Sequence, residues 1–216
     1  MKPDGKIIVL EGLDYSGKTS QVQELVDYLK KKEFKVVTFR EPGGTVVGEK
    51  IRTILKNDDM DPLTELLLFT SARMELITKQ IQPLLKQGYV IVLDRFIDST
   101  YAYQGSGRGL LHSVLYLERL ITEMVKPDVV FYLDVDLKVA AQRASERGPA
   151  DRLDSLSQDI KMKIKQGYTE RMIQHPERTI RIDANLSIPE VTYQIKSWLD
   201  GHFVPMNKRL QTANEV

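Results

Sequence analysis

Cysteine is absent from the chain, which excludes disulfide staples, thiolate nucleophiles and Cys-based zinc sites. Histidine is scarce: His112, His175 and His202 stand far apart, off the helical spacing that would bring two onto one metal. They read as surface or capping residues. Charge of one sign is not in excess either, with 31 Lys+Arg against 30 Asp+Glu and a formal net charge of +1. No global field therefore recommends nucleic acid or an anionic membrane as partner, and anion specificity must come from local clusters. Long hydrophobic runs are missing too. The first residues, Met1-Lys2-Pro3-Asp4-Gly5, lead straight into a strand-sized apolar run. Neither a bilayer span nor a secretory leader is read from that pattern, and the expected compartment is the cytoplasm.

What is present is an ordinary globular composition, 42% hydrophobic and 28% charged over 216 residues. That suits one domain with a buried core. Five short apolar runs recur, at Lys6–Leu10, Val36–Phe39, Val90–Leu93, Val129–Leu133 and Thr179–Ile182. Rich in β-branched residues and without polar alternation, they suit the centre of a parallel sheet covered on both faces. Amphipathic stretches separate them. Gln21–Lys32 carries Val22, Leu25, Val26 and Leu29 on one face; Glu65–Leu85 and Leu110–Val125 are similar. The alternation predicts an α/β fold with a doubly wound, five-stranded parallel sheet flanked by helices. Pro83 is expected to kink the last turns of its helix. Residues 1–203 are read as one domain, with the charged segment at about 143–154, which holds Gly148-Pro149, as a mobile lid. Residues 204–216 are polar and weakly patterned, and are read as a frayed tail.

Gly12-Leu13-Asp14-Tyr15-Ser16-Gly17-Lys18-Thr19 matches the Walker A pattern G-x-x-x-x-G-K-[ST], with a strand before it and a helix after. The glycines let backbone N–H groups turn onto phosphate oxygens, and the helix N-terminus adds partial positive charge. Residues Gly12 through Ser20 are the candidate ATP site. Lys18 is assigned to the β- and γ-phosphates and Thr19 to Mg²⁺. The pattern alone does not choose an acceptor.

Arg40-Glu41-Pro42-Gly43-Gly44-Thr45 follows the second strand, and Asp94-Arg95 ends the third. Residues leaving the carboxyl ends of parallel strands line the ligand crevice, so Arg40 and Arg95 are expected at the mouth of the Walker loop. Two guanidinium groups there suit a second phosphate; the alternative is that each pairs with a neighbouring carboxylate. Phe69 and Arg73, four residues apart, share a helix face. An aromatic plate beside a fork of donors can read a nucleobase, although Phe69 alone would be equally at home in a core.

These motifs, with Phe69-Thr70-Ser71-Ala72-Arg73 and Ala102-Tyr103-Gln104-Gly105, stand in the order seen in thymidylate kinases, which the chain resembles over about residues 6 to 200. The resemblance implies a P-loop nucleoside monophosphate kinase that phosphorylates dTMP to dTDP with ATP and Mg²⁺, acting as a homodimer. It implies Arg40 and Arg95 on the dTMP phosphate, Phe69 stacked on thymine, and Arg73 with Gln104 on the base edge. Ser99 and Thr100 fall within the same dTMP site. Tyr103 resembles the residue that crowds the sugar 2′ position. Asp14 resembles the acid that meets the 3′-hydroxyl and the phosphate-binding arginine, and Asp94 the carboxylate that helps hold Mg²⁺ through water. The lid offers Arg143, Arg147 and Arg152 as transition-state cations, with Arg147 ranked first. This resembles the lid-arginine subclass typical of bacteria, which usually has a small residue where Tyr15 stands. No catalytic base is required, because a phosphate monoester with a second pKa near ~6 is already ionised at neutral pH. Two rival readings remain at this point: a deoxynucleoside kinase, which would have no use for a second phosphate clamp, and a nucleotide-dependent switch. Asn207-Lys208-Arg209-Leu210 fails the Asn-Lys-x-Asp guanine reader of the latter.

Overall fold

A computed structural model describes residues 5–146 and 156–212, with side chains as far as Phe203. Every apolar run forms a strand, and every strand runs one residue further than its run: β1 (Lys6–Glu11), β2 (Val36–Arg40), β3 (Val90–Asp94), β4 (Val129–Asp134) and β5 (Thr179–Asp183). The extra residue is charged in all five. The strands are parallel in the order β2-β3-β1-β4-β5. Register places Leu10 beside Asp94 and Asp94 beside Arg40. The charged ends therefore gather along one carboxyl edge of the sheet.

Period-two geometry sends alternate side chains to opposite faces, and both faces are covered. Ile8, Leu10, Val90, Val92 and Phe131 pack with Leu25 and Leu29 of α1 (Lys18–Lys31), with Ile164 and Tyr168 of α8 (Gln158–Gln174), and with Val191, Ile195 and Leu199 of α9 (Ile188–Thr212). Ile7, Val9, Ile91, Leu93 and Val130 pack the other way, against Leu76 of α3 (Pro62–Leu76), Phe96, Ile97 of α5 (Ile97–Thr100) and Ile121 of α6 (Leu111–Thr122). Two buried faces explain why the three central strands, β3, β1 and β4, lack polar alternation. The chain leaves β1 through α1 on one face and leaves β3 through α5 and α6 on the other. Loops that depart in opposite directions open a crevice between these two neighbouring strands.

Three expectations are refined or corrected. The stretch read as the helix Glu65–Leu85 is helical from Pro62 to Lys86, with a π-turn at Ile77–Ile81 between α3 and α4 (Gln82–Lys86). Pro83 has no N–H to donate, and its ring would collide with the carbonyl four residues back; the wide turn just ahead of it relieves both problems. Second, Arg143 is not in a loop. It lies in the last turn of α7 (Leu137–Ser145), so the lid as expected from residue 143 begins with helix. Third, the segment read as a frayed tail continues α9 as far as Thr212. Arg147 and Arg152 fall outside the described residues. A second π-turn, Tyr101–Gly107, follows α5 and carries Tyr103 and Gln104. The remaining helix, α2 (Val46–Asn57), is capped by Thr45, whose hydroxyl accepts from Gly48 N. No helix among the described residues is long and apolar enough to cross a membrane.

Candidate active site

The phosphate loop leaves β1 under tight steric control. Gly12 has φ +146°, and a Cβ there would lie 2.6 Å from the Leu133 carbonyl oxygen, so only glycine fits. Tyr15 (φ 64°) and Gly17 (φ 94°) also adopt left-handed backbone. Gly17 caps α1 without a side-chain bond, and the first turn carries no acid, which suits an anion over its N–H groups. Lys18 curls back over the loop, donating to the carbonyls of Gly12 (3.1 Å) and Leu13 (2.7 Å). Burial, with Arg95 nearby, lowers its ammonium to about 8. Thr19 Oγ1 donates to Asp94 Oδ2 at 2.9 Å.

Arg95 is the hub of the acceptor side. Its backbone sits at φ 73° and its N–H donates to Leu10 O. Nη1 donates to Gly12 O (3.0 Å), Ser99 Oγ (3.1 Å) and Tyr168 Oη (3.1 Å), and Nη2 to Asp14. Asp14 also accepts from Tyr103 Oη at 2.7 Å. Burial works against the Asp14 charge, but Arg95 and Lys18 outweigh it and hold the carboxyl below its usual range. Burial likewise opposes the Arg95 charge, and Asp14 more than compensates. The phosphate loop and the turn after β3 are thus joined by one ion pair.

Arg40 donates to Glu49 Oε2 at 2.9 Å, while Glu49 Oε1 accepts from Gly44 N. This is the carboxylate pairing that stood as the alternative to phosphate binding. Both side chains are about half exposed, at 55% and 45%, and such a pair stabilises little, so an arriving phosphate could displace Glu49. Arg73, by contrast, is buried and held on three sides. Nε donates to Glu41 Oε2 (2.6 Å), Nη1 to Thr100 Oγ1 (2.9 Å) and Nη2 to Phe96 O (2.9 Å). Burial pushes the Glu41 carboxyl up to about 7 in spite of that ion pair. Gln104 Nε2 donates to Glu65 Oε1 at 2.9 Å, which fixes its amide. Ser99 and Thr100 turn their hydroxyls onto Arg95 and Arg73, and so support arginines directly.

One cavity of about 640 Å³ brings these groups together: Lys18 and Thr19 at one end, Phe69, Arg73 and Gln104 at the other, Arg40, Asp94 and Arg95 between. That volume is in the range of small-molecule sites. A second cavity of about 480 Å³ opens on the far side of the loop, lined by Tyr15, Gly17, Arg143, Leu186, Ser187 and Ile188. Arg143 reaches Tyr15 O at 3.4 Å and Leu186 O at 3.3 Å.

Several of these residues escaped the sequence reading. The turn after β5, Ala184 to Ile188, leaves the same carboxyl edge as the loops after β1 and β3, and the strand-end rule would have marked it. Arg52 donates to Pro42 O at 3.0 Å and lines the main cavity with Lys56. The two are four apart on α2, a spacing visible in the sequence. Glu11 and Tyr168 gave no signal. Among the described residues no group of three His, Asp or Glu could hold a metal unaided.

The thymidylate kinase family model matches residues 10–195. A thymidylate kinase of Thermoanaerobacter sp. (strain X514) is 40% identical over 190 residues, covering 87% of this chain and 93% of its own. One from Ruthia magnifica is 40% identical over 196 residues, covering 89% and 96%. The crystal structure of thymidylate kinase from Ehrlichia chaffeensis superposes with a TM-score of 0.76 at 32% identity, covering 91% of this chain and all of its own.

Proposed function

The chain belongs to the thymidylate kinase family, and from that premise we propose that it moves the γ-phosphate of ATP onto dTMP, giving dTDP, in the cytoplasm and as a homodimer. The observation that carries this reading is the single crevice in which a Walker loop faces a second cluster of arginines. One socket suits the phosphates of ATP and the other the phosphate of a nucleotide acceptor.

With ATP bound, Lys18 exchanges the loop carbonyls for β- and γ-phosphate oxygens, and the adenosine extends toward the cavity lined by Arg143 and Leu186–Ile188. Thr19 and Asp94 would hold Mg²⁺. Their hydroxyl and carboxylate are hard oxygen donors, and a site with so few protein ligands fits an ion that keeps waters and phosphate oxygens in its shell. When bound, the ion would supply positive charge that neutralises the transferring phosphates. Arg95 and Arg40 orient the dTMP phosphate, Arg95 being held by Asp14. Phe69 stacks on the thymine ring, while Arg73 and Gln104, locked by Glu41 and Glu65, present fixed donors and acceptors to its edge. Tyr103 closes the sugar 2′ side. Because the attacking phosphate oxygen is already ionised, alignment, charge neutralisation and exclusion of water account for the chemistry. The final cation is assigned to the lid arginines, Arg147 before Arg143 and Arg152; Arg143 alone of the three lies among the described residues, beside the loop.

A coupled ADP-release assay across dTMP, dUMP, dCMP, AMP, GMP and thymidine tests the reading. The expected order puts dTMP among the best acceptors and thymidine far behind. Turnover that ignores the acceptor, or that prefers thymidine, would overturn it.

A further inference from the structure

The Glu11 carboxylate is among the most enclosed charged groups in the protein, at 1% exposure, and the mechanism above makes no use of it. It ends β1, directly before the phosphate loop. Oε1 accepts from the backbone N–H of Phe96 (2.7 Å) and of Ser99 (3.1 Å). Oε2 accepts from Ser99 Oγ (2.5 Å) and lies 3.3 Å from Tyr168 Oη. Those two hydroxyls are 2.8 Å apart and are also the oxygens on which Arg95 Nη1 rests. Three segments distant in sequence meet at one point: the end of β1, the turn after β3, and the middle of α8.

Hydrogen-bond bookkeeping fixes what the carboxylate does. A hydroxyl has one proton and two lone pairs. With Glu11 and each other to receive their protons, Ser99 and Tyr168 both keep a lone pair turned to the guanidinium. The carboxylate also pins the backbone on either side of Ile97 and Asp98, so the left-handed Arg95 is held at its own turn and at its side-chain tip. Tyr168 is itself immobilised, its ring stacked on Tyr132 at 5.3 Å and edge-on to Tyr103 at 6.3 Å. A merely structural carboxylate would satisfy the turn alone; this one reaches past it to two of the acceptors of Arg95.

We infer that Glu11 is a positioning residue for phosphate capture: through Ser99 and Tyr168 it sets the orientation in which Arg95 meets the acceptor's phosphate. This rests on the reading of Arg95 as the clamp on the dTMP phosphate. Glu11→Gln preserves shape and can keep Oε1 on the two backbone N–H groups, but it places amide protons where Oε2 received them. One hydroxyl must then turn its proton toward Arg95. Tyr168→Phe removes one acceptor with the ring intact and serves if Glu11→Gln fails to fold.

The test compares dTMP with thymidine, which offers the same base and sugar without the phosphate. In both variants KM for dTMP should rise about tenfold or more, while KM for ATP and the Ki of thymidine as a competitive inhibitor stay within about twofold. The double variant should be no worse than the poorer single one, because both act on one guanidinium. An unchanged KM for dTMP in either folded variant, or an equal loss for thymidine, would overturn the inference while leaving the proposed function standing. If the unmodified protein turned over no dTMP at all, the proposed function would fail, and this inference with it.

Discussion

Lys18 must carry a positive charge in a place where the folded chain resists one. Burial, reinforced by Arg95, lowers its ammonium from 10.5 to about 8. A depressed lysine pKa means that the folded state releases the proton more readily than the unfolded state does. The stability this confers is fully present above pH 10.5 and is lost as pH falls through about 8. At neutral pH the charge therefore costs on the order of 3 kcal/mol. Lys18→Met, which keeps the length and drops the charge, should reduce turnover by at least ~10²-fold. Its Tm at pH 7 should nonetheless equal or exceed that of the unmodified protein. A thermal melt beside the ADP-release assay checks both halves, and a Tm lower by several degrees would contradict the account. The Walker residues were legible in the sequence because their chemistry is local. Arg73 was legible only as a base reader. That Glu41, 32 residues away, would seize its Nε could not be seen, because a loop's landing point on a helix face is set by tertiary packing.

Elements were legible wherever periodicity was strong, as in the five strands and in α1 and α6. The breaks were not. The π-turn at Ile77–Ile81 accommodates Pro83 by widening the helix just ahead of it, and the one at Tyr101–Gly107 has no apolar periodicity to mark it. The same limit applies to Glu11, which looks like the polar end of an apolar strand until the β3 turn and α8 close over it. Where backbone geometry is demanding, the element itself makes a prediction. Gly12→Ala meets both a positive φ and the Leu133 carbonyl at 2.6 Å, a backbone atom that cannot swing away. It should destabilise the protein by roughly 2 kcal/mol and abolish detectable ATP binding, because the loop must shift off β4. Gly109→Ala is the matched control, with φ +76° but open space around its Cβ. Strain alone should cost about 1 kcal/mol there and leave ATP affinity unchanged. Equal loss of ATP binding by both variants, measured calorimetrically, would remove the steric explanation.

At the scale of the molecule, the crevice depends on helices whose outer faces are unfinished. Val46, Val47 and Ile54 on α2, Leu63 and Leu67 on α3, and Leu115, Tyr116 and Leu120 on α6 are all exposed. α3 packs against both α2 and α6, so the helices that carry these residues form one connected layer. Soluble monomers rarely leave contiguous apolar surface of this kind bare, and a two-fold axis can cover such a patch with its own copy. That is the physical support for the proposed homodimer. Such a contact would also tie assembly to catalysis, because α3 carries Phe69 and Arg73 and the residues before α6 carry Tyr103 and Gln104. Leu67→Asp combined with Leu115→Asp places charges on this exposed apolar layer without touching the cavity. Light scattering is expected to report a dimer for the unmodified protein and a monomer for the variant, whose Tm should lose its dependence on protein concentration. KM for dTMP should rise more than KM for ATP, since α2 and α3 line the acceptor end of the crevice while the phosphate loop is anchored by β1 and α1. An unmodified protein that scatters as a monomer at micromolar concentration, or a charged variant that still dimerises, would show that this face is not the contact.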